Sequence, residues 1–301
     1  MNSGWKLTAF APKSNVQAAL LAHDEIEEWD PEFVISGREI AEERPQEWVL
    51  EGWFPRKPGK VQTRSLAQLF AGKAPKIQSQ KLPDEDWLAI SQKGVEPIRA
   101  GPFNVHTPDF PPLPGARNFA IPAAQAFGTG QHETTAGCLE MLALIKQNGS
   151  VVRDCADIGT GTGLLGFAAL SLWPSARMTA SDIDPICAQV VEDNAILNDI
   201  SIGHRNGEMA IVIAAGMEHS LLQMRAPYDL LIANILAGPL IELAPDFTKA
   251  VAPGGHVVLA GLLKQQASGV RRAYRRAGFR LKTQFVRGDW TILWLQKRIS
   301  K

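Results

Sequence analysis

At 301 residues, 45% of them hydrophobic, the chain can bury at least one full core, and a prior of about one domain per 150 residues divides it in two. Its formal net charge is zero, which argues against a protein that holds nucleic acid mainly through its phosphates. Cys138, Cys155 and Cys187 form no CxxC pair, MNSGWKLTAF carries no signal-peptide pattern, and no apolar run approaches the roughly 18 residues of a membrane span. A disulfide framework, a metal site and a membrane contact are thereby disfavoured, and a soluble cytoplasmic protein is expected. Charge is nonetheless uneven: residues 24–51 hold eleven Asp or Glu against two Arg, and residues 264–301 hold eleven Lys or Arg against Asp289 alone. Each patch is either a solvated face or a steering surface, the acidic one for a basic protein.

In chain order, "WKLTAF" reads as a strand, "SNVQAALLAH" as a helix, "EFVISGREI" and "EWVLEGWFP" as strands, "QTRSLAQLFAG" as a helix and "KIQSQKLP" as a strand. That order is the split βαβ, or ferredoxin-like, unit, placed at residues 1–82. The six prolines of residues 84–115 fix backbone angles and remove donors, so residues 83–115 read as an ordered connector followed by a linker. From residue 116 to 301 the pattern is α/β. "RDCADI", "RMTASDI", "MAIVIAAG", "YDLLIANIL" and "HVVLAGLL" are strands, "LLGFAALSLW" and "ICAQVVEDNAILN" are helices, and "FRLKTQFV" with "WTILWLQK" is a closing antiparallel hairpin. Alternating strands and helices imply a parallel sheet covered on both faces.

The chemistry gathers at strand ends. In "DIGTGTGLLG" a strand runs into a glycine turn that opens a helix, so Gly159, Gly161 and Gly163 let backbone amides approach a ligand with no side chain between. The next strand ends in "SDIDP", placing Asp182 where a carboxylate can accept both hydroxyls of a ribose. Asp157, just before the first glycine, would repel a pyrophosphate but pair with a cationic amino-acid tail, which favours S-adenosyl-L-methionine over NAD; the plainer alternative is an acid that caps the turn. Asn234 interrupts the apolar strand "YDLLIANIL". It either orders the following loop or offers its amide oxygen to a substrate nitrogen.

"AFGTGQHETT", "DIGTGTGLLG", "SDIDP" and "NILAGPL", in this order behind a ferredoxin-like unit, resemble the bacterial ribosomal protein L-eleven methyltransferase family of the PrmA type over essentially the whole chain. The resemblance implies a seven-stranded Rossmann-like class I S-adenosylmethionine-dependent methyltransferase domain behind a substrate-recognition domain. It implies methylation of lysine side-chain or N-terminal amines of that ribosomal protein, free or on the large subunit, by a monomer. It also carries over Phe127, Gly128, Thr134 and Thr135 as cofactor-side contacts, which join Asp157, Gly159, Gly161, Gly163, Asp182 and Asn234 as read from the chain, Asn234 being the catalytic residue as well. A departure is Ala215, where many related enzymes place an acid that hydrogen-bonds the adenine. Alternatives are a lysine methyltransferase of another protein, such as the β-subunit of electron transfer flavoprotein, and an RNA or DNA exocyclic-amine methyltransferase. The latter often carries an Asn/Asp-Pro-Pro-aromatic turn where this chain has Asn234-Ile-Leu-Ala.

An apolar channel beside a sulfonium depresses an entering ammonium's pKa, so no dedicated strong base is required. His132 lies in the expected range for one, yet a histidine there equally shapes the loop or caps "TTAGCLEMLALI". Arg271, Arg272, Arg275 and Arg276 recur at helical spacing, as a solvated stripe or as a ribosomal RNA contact.

Overall fold

The computed structural model describes residues 4–24, 26, 29–30, 33–40, 44, 46–72, 74–81, 97–122 and 131–299, apart from the side chains of Asp24, Gln131 and His132. The chain divides into two units, Met1–Ile90 and Ser91–Lys301. The first contains β1 (Trp5–Pro12), α1 (Lys13–Asp24), β2 (Val34–Glu39), β3 (Glu47–Phe54), α2 (Lys60–Gln68) and β4 (Ile77–Lys81). The strands pair antiparallel in the order β2-β3-β1-β4. Alternation along β1 sends Leu7 and Ala9 inward, where they join Val16, Ala19, Leu50 and Leu66. Each leucine so buried stabilises the unit by roughly 1.5–3 kcal/mol.

Not all of the acidic patch is a solvated face. Glu51 is buried on β3, with Lys6 Nζ 2.8 Å and Arg38 Nε 3.1 Å away. Burial alone would raise its pKa, but the bonds and charges of Lys6 and Arg38 hold it below the ordinary value.

The second unit begins earlier than the proline count suggests. Inside the stretch read as connector and linker lie β5 (Ile98–Ala100) and β6 (Phe103–His106), which form a three-stranded sheet with β7 (Arg117–Ala120). Phe103, Val105, Phe119 and Ile121 are buried in the main core, so this part is ordered and packed with the second unit. Four of the prolines, Pro108, Pro111, Pro112 and Pro114, fall between β6 and β7, where no ladder needs their missing donors. Residues 82–96 lie outside the described residues.

After α3 (Gln131–Gln147) come β8 (Asp154–Ile158), α4 (Leu164–Leu172), β9 (Arg177–Asp182), α5 (Ile186–Leu197), β10 (Met209–Ile213) and α6 (Ser220–Arg225). The chain continues through β11 (Tyr228–Asn234), α7 (Ala237–Glu242), α8 (Ala244–Ala250), β12 (Val251–Leu263), α9 (Ala267–Arg276), β13 (Phe279–Arg287) and β14 (Trp290–Lys297). Seven strands line up as β10-β9-β8-β11-β12-β14-β13, parallel from β10 to β12, with β14 antiparallel to both its neighbours. Leu230 and Ile232 pack with α3 and α4, while Leu231 and Ala233 pack with α7, α8 and α9. Burial on both faces is why the central strands read as continuous apolar runs.

Sheet order decides where a ligand can sit. β8 has β9 on one side and β11 on the other, so the connections leaving β8 and β11 diverge to opposite sides and open a crevice at their carboxyl ends. β8, β9 and β11 end there in Ile158, Asp182 and Asn234.

Candidate functional site

The turn after β8 is held by backbone and by two buried polar side chains. Gly159, Gly161 and Gly163 have φ of 72°, 54° and 84°, a region that side-chain-bearing residues rarely adopt. A Cβ built on Gly161 would meet no atom of the described residues within 4 Å apart from its chain neighbours, so these residues leave room for a ligand beside this peptide. Gly159 and Thr160 donate their N–H groups to Ser181 O at 2.8 and 2.9 Å, tying the turn to β9. From α5, the buried Asn194 donates Nδ2 to Thr162 O at 3.0 Å.

Asp157 is 1% exposed. Its Oδ2 accepts from Thr160 Oγ1 at 2.7 Å and from the Gly166 N–H at 3.1 Å, so one oxygen does cap the turn onto α4. Its Oδ1 is buried without a hydrogen-bond partner among the described residues. Burial pushes this carboxyl up to about 6, opposed by the bonds from Thr160 and Gly166 and assisted by the charge of Asp182. An orphaned buried acceptor costs stability unless a ligand or water meets it.

Asp182 stands at the end of β9, half-buried. Its Oδ2 accepts from the Gly161 N–H at 2.8 Å and its Oδ1 from the Asp184 N–H at 3.1 Å. A carboxylate has about four lone-pair sites, so acceptor capacity remains on both oxygens. Asn234 ends β11 on the same sheet face as Asp157, because Ile232 lies opposite Asp157 and Asn234 follows at the strand period of two. Its amide makes no hydrogen bond to another described residue, so the loop-ordering alternative is not realised among them.

Two residues that the motifs did not single out shape this corner. A Cβ on Gly159 would lie 2.3 Å from Ile235 Cγ2, so the segment after Asn234 packs directly over the glycine turn. Gly261, at φ 83°, lets β12 pass Ile235, whose carbonyl oxygen would lie 2.3 Å from a Cβ there. Gly261 reads from sequence as a glycine inside a strand, the usual mark of a close backbone approach.

Thr134, buried, and Thr135, half-buried, lie in the first turn of α3, which packs on α4, β12 and β14. Phe127 and Gly128 lie outside the described residues, as does the side chain of His132. Ala215 follows β10 beside the backbone bond from the Ala214 N–H to Asp182 O at 2.8 Å. No helix among the described residues is long and apolar enough to cross a membrane.

Residues 17–298 match the family described as Ribosomal protein L11 methyltransferase (PrmA). A protein of that name from Agrobacterium fabrum (strain C58 / ATCC 33970) is 41% identical over 234 residues, 77% of this chain and 77% of its own. Another, from Caulobacter sp. (strain K31), is 40% identical over 235 residues, 77% of this chain and 78% of its own. Among solved structures, a ribosomal protein L11 methylase from Lactobacillus delbrueckii subsp. bulgaricus superposes with a TM-score of 0.56 at 24% identity, covering 68% of this chain and all of that one, a likeness of fold.

Proposed function

The chain belongs to the ribosomal protein L11 methyltransferase (PrmA) family, and from that premise we propose that it is the S-adenosylmethionine-dependent methyltransferase of that ribosomal protein, acting on lysine side-chain and N-terminal amines. In this reading the second unit is a class I methyltransferase domain. The first, with its β-α-β-β-α-β order, is a ferredoxin-like module that recognises the substrate. The observation that carries the proposal is the convergence of the glycine turn, Asp182 and Asn234 at one sheet edge, at the switch point between β8 and β11.

The residues fit the cofactor. The room that the described residues leave at Gly161, spare acceptor capacity on Asp182 and an Asp157 Oδ1 unpartnered among the described residues suit a backbone-lined ribose and amino-acid tail. When bound, S-adenosylmethionine supplies an electrophilic sulfonium methyl. Asp182 would hold the ribose, the Gly159–Gly163 amides would line the tail, and Thr134 and Thr135 would stand on the cofactor side, where the resemblance also assigns Phe127 and Gly128, which lie outside the described residues.

The attacking amine must be neutral. A lysine at its unperturbed pKa costs about 4–5 kcal/mol to deprotonate at pH 7, an α-amino group about 1 kcal/mol. Asn234 cannot supply a base of that strength; its amide oxygen accepts an N–H of the amine and aims the nitrogen lone pair. Water takes the proton.

The test is incubation with labelled S-adenosylmethionine and separated ribosomal proteins, followed by mass mapping of the labelled residues. Label on lysines or the N-terminus of the L11 protein is expected, and none when the first unit is deleted. Label in RNA alone would overturn the reading.

Asp157 gives a pH dependence. Pairing with a cationic tail requires the ionised carboxylate, whose pKa in the free enzyme is about 6. Affinity for S-adenosylmethionine is therefore steady above about pH 7, about half at pH 6 and about tenfold lower at pH 5, where roughly one molecule in eleven is competent. Asp157→Asn should bind more weakly at neutral pH and show no such slope. A flat wild-type calorimetric affinity from pH 5 to 8 would remove the pairing.

A further inference from the structure

At the far end of the sheet, α9, β13 and the residue after β14 enclose a groove of about 450 Å³ lined by Arg271, Arg272, Arg275, Arg280 and Arg298. The other described lining residues are Ser268 and apolar side chains, with no acid among them. All five arginines are exposed, and none has an ion-pair partner among the described residues. The polar contacts found on them are neutral: Arg271 donates to Gln284 Oε1 at 3.4 Å and Arg280 to Gln296 Oε1 at 2.7 Å.

The fold gives little reason for this cluster. Arg275 and Arg276 in the last turn of α9 complement the helix dipole, but Arg271 and Arg272 stand a turn earlier. The pairs Arg271–Arg275 and Arg272–Arg276 place like charges at i,i+4, an arrangement that destabilises a helix. Guanidinium is also the side chain best matched to phosphate, through bidentate donation. The groove lies away from the methyl-transfer edge: Gln296 pairs with His256 near the start of β12, whereas Trp290 pairs with Leu263 at its carboxyl end.

We propose that this five-arginine groove binds the phosphate backbone of RNA, tethering the catalytic unit to the RNA that carries its substrate. The choice of RNA over an acidic polypeptide rests on the family reading, in which the substrate is a ribosomal protein. A chain of zero net charge that concentrates eleven cations against one acid in residues 264–301 can bind RNA locally without being a general nucleic-acid binder.

The experiment is fluorescence anisotropy of a labelled RNA hairpin of arbitrary sequence, titrated with the full chain across a salt series, without methyl donor or substrate protein. Wild type is expected to bind with a salt slope reporting several phosphate contacts. The triple substitution Arg271→Gln, Arg275→Gln, Arg280→Gln should weaken binding at least about tenfold and reduce the slope by about two to three, whereas the matching triple lysine variant should keep most of that slope. Both variants should melt like wild type and methylate the free ribosomal protein at the wild-type rate. Equal affinity and slope for wild type and the glutamine variant would overturn the proposal, as would competition by poly-glutamate as effective as that by RNA at equal charge. Loss of methylation by the wild type would instead sink the assignment of function, and leaves the RNA titration standing on its own.

Discussion

Asn234→Ala is expected to lower kcat by about a hundredfold, because reactivity falls steeply when a nucleophile is misaligned by even an ångström. The residue ends β11 beside the glycine turn, and its amide is uncommitted among the described residues. Although it also stands among the cofactor-side residues, the ribose and tail are assigned to Asp182, Asp157 and the glycine turn, so S-adenosylmethionine affinity should hardly change. An amide has no useful basicity, so raising the pH, which supplies neutral amine without help, should not bring turnover back to the wild-type rate. Steady-state kinetics across pH 7 to 10, with calorimetry of cofactor binding, separates the outcomes. A mutant whose sole defect is weak cofactor binding, or one rescued by alkaline pH alone, would show that the assignment to alignment is wrong.

Asp182→Ala should instead strike binding. Two charge-assisted bonds to ribose hydroxyls at about 1.5–3 kcal/mol each make the loss at least about a hundredfold in affinity. Part of that loss passes through the turn, since Asp182 also accepts from Gly161 and Asp184. Asp182→Asn keeps one acceptor oxygen and should fall between the two, and kcat at saturating cofactor should drop far less than affinity. Unchanged calorimetric affinity in a variant that melts normally would refute the ribose assignment, and NAD binding by wild type as tight as that of S-adenosylmethionine would refute the choice of cofactor.

Much of this was readable in one dimension. The strands β8, β9 and β11 announce themselves as short apolar runs that stop at glycine, aspartate or asparagine, because a parallel strand covered on both faces tolerates polar groups only where it emerges. The hairpin of β13 and β14 is likewise marked by its Arg287–Gly288–Asp289 turn, with Gly288 at φ 51°. The short helices α7 and α8 escape such reading: six and seven residues are too few to display a 3.6 period, and Pro239 and Pro245 look like loop signals. The strands β5 and β6 were hidden by prolines belonging to the loop that follows them.

By itself, then, the sequence determined which residues could serve at the carboxyl ends of strands, since glycine spacing and isolated polar residues are local facts about backbone freedom and burial. Only the tertiary structure decided that β8 is flanked by β9 and β11, which brings Gly159, Asp182 and Asn234 to one crevice and presses Ile235 over the turn. It also decided the state of Asp157. Whether a carboxylate is a free partner for a cation or a turn cap depends on which donors surround it, and here Thr160 and Gly166 claim one oxygen while the other is buried and unmet among the described residues. The same holds for the arginines of α9: their helical spacing is written in the chain, but the groove exists only because β13 and the end of β14 fold back to bring Arg280 and Arg298 beside them. Strand order and the company a charge keeps are properties of contacts between distant residues, which no local pattern encodes.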